Sequence, residues 1–131
     1  MRLFILGYVD GYYEVVRFND LQGCTQFGSQ IAVADRGNGA IRLIDIESNM
    51  TSTLIKAPGS QDGIFDNTSS SVGQIEGVYH IEALDSERLL VASDSSTSIR
   101  LINTATQHIT TLNSNPLYGV NKVKEISYCC F

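Results

Sequence analysis

Residues able to do chemistry are few in this chain, and most of them come in pairs. Arg42 lies in "AIRLIDIESNMTSTL" at 40–54, and Arg100 lies in "SIRLINTATQHITTL" at 98–112. Each is preceded by a Val-Ala segment ending in an aspartate: "VAD" at 33–35 with Asp35, and "VASD" at 91–94 with Asp94. Arg42 and Arg100, at equal places in successive units, could form a ligand-reading ladder, or could make a structural ion pair or a backbone hydrogen bond between neighbouring units. The structural reading is preferred, because a planar guanidinium satisfies several acceptors at once. Asp35 and Asp94 could face a metal, but an aspartate ending such a strand more commonly accepts from the amides of its own hairpin.

The remaining candidates are isolated. His80 and His108 fall at different places in their segments, and a metal centre usually needs three or four ligands. "SDSSTS" at 93–98 offers hydroxyls with no histidine close in sequence to activate one. No catalytic, cofactor-binding or metal-binding residue is therefore assigned, and no cofactor is expected. Cys24, Cys129 and Cys130 are odd in number and lack zinc-type spacing. Two sequons, Asn49-Met50-Thr51 and Asn67-Thr68-Ser69, lie in stretches that read as turns or loops. Asn49 and Asn67 are the candidate glycosylation sites, and their use would imply a secreted or extracellular chain.

The elements that must position these residues are strands. "QIAVAD" (30–35), "AIRLIDI" (40–46), "RLLVASD" (88–94) and "SIRLIN" (98–103) are short, rich in aliphatic and β-branched residues, and separated by "RGNG" and "SSTS" turns. No segment sustains an apolar period of 3.6 residues. The chain is 131 residues long, with 43% hydrophobic and 18% charged residues, which are globular values. Its net charge of −5 and lack of a basic patch argue against nucleic acid as a partner. No apolar run approaches the ~20 residues of a membrane span, and "MRLFILG" is too weak for a signal peptide. Met1 is either a true start or an internal residue of something longer.

The repetition extends upstream. "GYVDG" at 7–11 is answered by "GSQDG" at 59–63, and Leu21-Gln22-Gly23 by Ile75-Glu76-Gly77. Each unit thus reads as an Asp-Gly loop followed by four strands, the arrangement of a β-propeller blade. Gly23 and Gly77 would mark a strand bend or a close approach of backbone, with the bend preferred. The apolar residues of "IRLI" do not alternate with polar ones, as expected of a sheet covered on both faces.

The units resemble NHL repeats, on Asp10-Gly11, Phe18, Leu21, Gly23, Val33-Ala34-Asp35, Asn38, Ile41-Arg42 and Ile44-Asp45. The second unit matches at Asp62-Gly63, Ile75, Gly77, Val91-Ala92, Asp94, Ile99-Arg100, Ile102 and Asn103. No proline precedes Gly23 or Gly77, and Asp94 follows an extra residue, so both points depart from the pattern. The resemblance implies an all-β, partial β-propeller of four-stranded antiparallel blades. The expected division is 1–6 as the last strand of a preceding blade, 7–56 as a first blade, 57–114 as a second and 115–131 as the start of a third. It also implies an interaction or structural segment rather than an enzyme. Its partners would be a protein, glycans, or further blades at the two open ends. The alternative is a fragment of a propeller enzyme of the peptidyl-hydroxyglycine lyase or lactone-hydrolase kind, in which His80 would be a metal ligand. Sequential blades would hold Cys24 a blade away from Cys129 and Cys130, so no bridge from Cys24 to either is expected. Two blades fall short of the usual closed ring of about 4–8, and the chain is expected to be an incomplete propeller.

Overall fold

A computed structural model describes residues 6–56, 61–65, 73–93 and 98–113. The expectations for Asp94, Asn67, Cys129, Cys130, most of 1–6 and the segment 115–131 lie outside the described residues. Within them the chain is all-β and propeller-like, with two five-stranded antiparallel sheets. The first uses β1 (Gly11–Tyr12), β2 (Leu21–Phe27), β3 (Gln30–Asp35), β4 (Ala40–Asp45) and β5 (Met50–Lys56). The second uses β6 (Gly63–Ile64), β7 (Val78–Ala83), β8 (Arg88–Ser93), β9 (Ser98–Asn103) and β10 (His108–Asn113). Four strands run as a simple meander in each sheet, in the orders β5-β4-β3-β2 and β10-β9-β8-β7. To these the structure adds a two-residue strand, β1 or β6, outside β5 or β10.

The Asp-Gly loop makes that extra strand. Gly11 and Gly63 adopt φ of 136° and 142°, a region nearly closed to side-chain-bearing residues. The turn lets each loop fold back onto its sheet's outer strand, where Gly11 pairs with Thr51 and Gly63 with Ile109. The hairpins β4–β5 and β9–β10 match closely too. Asn49 and Gln107 hold left-handed φ of 57° and 52°, and their carbonyls accept from the Tyr13 and Phe65 amides at 3.2 and 2.9 Å. Tyr13 and Phe65 are therefore structural equivalents.

Cross-strand partners share a face of a sheet, so the register sorts the residues. In the first sheet Ala32 and Ala34 share a face with Leu43 and Ile41. In the second, Val91 and Leu89 share a face with Arg100 and Ile102. Those two faces meet. Ala32, Ala34, Ile41 and Ile55 form one core cluster with Ile81, Leu89, Val91, Ile102 and Ile109, closed by Phe27, Phe65 and Ile75. The two sheets thus stack front to back, as successive units of a repeat do.

β2 and β7 also touch directly, where the Thr25 hydroxyl accepts from the Ala83 amide at 3.2 Å. Gly23 lies on this seam, beside a register shift between Leu21 and Cys24. A Cβ there would stand 3.2 Å from the Ile81 nitrogen and 3.3 Å from the His80 Cα. The preferred reading of a bend alone is corrected: Gly23 also permits close approach of the neighbouring backbone. Gly77 differs, with φ of 57° just before β7. Gly23→Ala should cost about 1–3 kcal/mol through overpacking, measurable by urea denaturation. A loss under half that would show the seam to be compliant.

Candidate functional site

The recurring charged residues assemble into one clasp per sheet. In the first, Arg42 is fully buried, with a side chain 0% exposed. Its Nε donates to Asp10 Oδ1 at 3.0 Å, and its Nη2 stands 2.8 Å from the same oxygen. Nη2 also donates to the Val9 carbonyl at 2.7 Å, and Nη1 donates to the Arg17 carbonyl at 3.1 Å. Nη1 further bonds Asp35 Oδ2 at 2.7 Å, in an ion pair where both side chains are 0% exposed. The Thr53 hydroxyl donates to Asp10 at 2.9 Å and lies 2.5 Å from the Tyr8 hydroxyl. Tyr8 and Phe18 sandwich the guanidinium, with centroids 4.7 and 4.8 Å from its carbon. Such stacking adds ~0.5–2 kcal/mol where the cation is desolvated.

The second clasp repeats the arginine, the Asp-Gly aspartate and the threonine of the first. Arg100 Nη2 donates to Asp62 Oδ1 at 2.9 Å and to the Gln61 carbonyl at 2.6 Å, and Nη1 donates to the Gln74 carbonyl. Thr111 gives Asp62 both its amide, at 2.8 Å, and its hydroxyl, at 2.7 Å. The guanidinium in each unit pins the Asp-Gly loop and the segment before the inner strand onto the sheet. Arg42 and Arg100 thus make structural ion pairs, and their backbone bonds run within their own unit rather than between units. Asp10, Asp62, Thr53 and Thr111 are the partners that sequence reasoning left unassigned. Their signal was their recurrence alongside each arginine.

One member differs. Asp35 pairs with Ala40, and Ser93 pairs with Ser98, so Ser93 stands where Asp35 does. The alignment that set Asp94 opposite Asp35 is corrected by this register. Asp35 does not cap its own hairpin amides; it accepts from the Asn19 amide, the Asn38 side chain and Arg42. Ser93 instead donates to the Glu76 carbonyl at 2.7 Å. Among the described residues, Arg100 therefore faces one carboxylate where Arg42 faces two, and its Nε finds no hydrogen-bond partner there.

Asp62 shows what the clasp does electrostatically. Desolvation is the largest single influence and pushes its carboxyl up, but the Thr111 amide, the Thr111 hydroxyl and Arg100 together outweigh it. The net result lies below the ordinary 3.8. A carboxylate held lower in the folded state contributes stability above pH 3.8 that is lost as pH falls through the folded value. With its side chain 43% exposed, solvent screens much of this. We predict a stability that is flat for this group at neutral pH and declines below about 3.8, with Asp62→Asn removing that part of the slope. Acid titrations of the two proteins that superimpose would refute it.

The other candidates lie apart from the clasps. His80 is buried on β7, where it pairs with Ala92 and so lies on the opposite face of the second sheet from Ile81, with Nε2 3.9 Å from Glu82 Oε2. His108 is exposed at the start of β10, and Cys24 is exposed on β2. Cys24 shares Val33's register, as Ile81 shares Val91's, so Cys24 corresponds to Ile81 rather than to Val78, the residue that matching Gly23 with Gly77 sets opposite it. Asn49 is exposed at the tip of the β4–β5 hairpin. No group of three or more metal-ligating side chains converges among the described residues. No helix among them is long and apolar enough to cross a membrane.

No protein-family model matches the sequence, and no curated protein does. Among solved structures, a structural genomics protein of unknown function from Bacteroides thetaiotaomicron VPI-5482 is similar, with a TM-score of 0.51 and 17% identity. The match covers 77% of this chain and 23% of that one, so this chain spans under a quarter of its structural relative. At that identity the likeness is one of fold.

Proposed function

We propose that the chain is a non-catalytic structural or interaction segment of an NHL-like β-propeller belonging to a larger extracellular protein. The observation that carries this reading is the use made of the charged residues. Arg42, Arg100, Asp10, Asp35 and Asp62 hold loops to sheets, which builds a rigid stack rather than a reacting centre. The repeated Asp-Gly…Ile-Arg pattern supports the NHL resemblance, and the front-to-back stacking supports a propeller. Partners would be proteins, glycans or further blades meeting the outer sheet faces. The Asn49 sequon, exposed in a hairpin, supports an extracellular setting, since a glycan grows only where the chain faces water.

Elemental analysis of purified protein, together with intact-mass analysis of natural material, tests the proposal. We expect no stoichiometric metal and an N-linked sugar on Asn49 or Asn67. A tightly bound zinc or calcium ion, one per chain, would overturn the reading in favour of a propeller enzyme. Absence of sugar at both sites would remove the extracellular setting.

A further inference from the structure

Because the two units are equivalent, each residue buried between the sheets has a counterpart on an outer face, and the two can be compared. On the front of the second sheet, Phe65 is 2% exposed, while its counterpart Tyr13 is 67% exposed. Ile81, Leu89 and Ile102 are 0% exposed, while Cys24 is exposed and Ile31 and Ile44 are half-buried. On the back of the first sheet, Ile41 is 0% exposed, while its counterpart Ile99 is half-buried. Phe27 is 8% exposed against 49% for Leu84. Leu54 packs on the core, while its counterpart Leu112 is 55% exposed. At these positions the front of the first sheet and the back of the second are open halves of an interface that the molecule already builds once internally, while Val33, Ala92 and His80 on the same faces are buried.

We propose that these two faces join one copy of this chain to a second, head to tail. The front of one copy's first sheet would lie on the back of the other copy's second sheet. Tyr13 would take the place that Phe65 takes between the sheets. The inference rests on the propeller-like reading and names the partner of its open faces. The occupant follows from the template: the internal interface already matches this front to this back, with the same hairpin carbonyl positioning Phe65 and Tyr13. A self-symmetric dimer would press front on front, for which the structure offers no precedent. Head-to-tail contacts repeat until a ring closes or a filament grows, and exposed apolar faces of this kind favour association.

Sedimentation of the full chain over a wide concentration range tests this. Masses above 14.3 kDa that rise with concentration are expected. Tyr13→Asp and Leu112→Asp each alter an exposed side chain on one face, so both variants should fold. Each alone should need roughly tenfold more protein to associate, as for loss of an interface anchor. Mixed, they should form a 1:1 dimer through the two undamaged faces, which a front-on-front contact could not do. A folded monomer at every concentration overturns the proposal, as does either variant associating like the parent, or a mixture that stays monomeric. None of these outcomes bears on metal content, so failure here is distinguishable from failure of the functional reading.

Discussion

Arg42→Ala is expected to cost about 3–5 kcal/mol in chemical denaturation, the range for removing one partner of a buried ion pair. The loss is large because of what stays behind. Asp35 is 0% exposed and would lose the guanidinium it is paired with, while Asp10 would remain nearby as a like charge. The carbonyls of Val9 and Arg17 would lose donors as well. The reverse deletion should be milder. Asp35→Ser reproduces what the second unit already carries, since Ser93 sits in that position and Arg100 still closes its clasp. It should cost about 1–3 kcal/mol, as for loss of one partner in a hydrogen-bonded set whose other members persist. The two variants measured side by side give the test. Equal losses, or an Arg42→Ala loss under 1 kcal/mol, would show that Asp35 is not held by Arg42.

The repeat, the all-β class and the strand pairs were legible because they depend on local pattern. Short apolar runs, Gly-rich turns and the recurrence of Ile-Arg-Leu-Ile need no tertiary information. The register between units was less legible. Matching glycine to glycine and aspartate to aspartate placed Gly23 against Gly77 and Asp35 against Asp94. The ladders instead make His80 the counterpart of Gly23, and Ser93 that of Asp35. Pairing geometry, not residue type, decides equivalence, and each inner strand carries a register shift that a linear alignment does not see. The clasp was half legible. Arg42 and Asp35 stood out as charges in apolar strands. Asp10 and Thr53 looked like loop and edge residues, because their roles arise only when a segment 32 positions upstream of Arg42 folds back onto it. Gly23 was ambiguous for a similar reason, since its constraint comes from the backbone of the other sheet.

The remaining large effect is at Phe65. Phe65→Ala should destabilise the chain by about 3–5 kcal/mol, the usual cost of deleting a buried aromatic ring from a core. The ring is 2% exposed and belongs to the cluster joining the first sheet to the second, so the void would open between the sheets. Its backbone contact, the amide on the Gln107 carbonyl, would be unaffected, which confines the change to packing. Tyr13→Ala is the matched control, because Tyr13 has the same backbone contact and a ring 67% exposed. At dilution, where copies are separate, it should change stability by no more than about 0.5 kcal/mol. The contrast isolates inter-sheet burial from the intrinsic effect of an aromatic residue after the Asp-Gly turn. It also separates two kinds of dependence. The Phe65→Ala loss is intramolecular and should not vary with protein concentration. Any stabilising effect of Tyr13 should appear only as concentration rises, because it requires a second chain. Equal and concentration-independent losses for the two variants would mean that the aromatic ring acts within its own loop, and that stacking of the sheets owes little to Phe65.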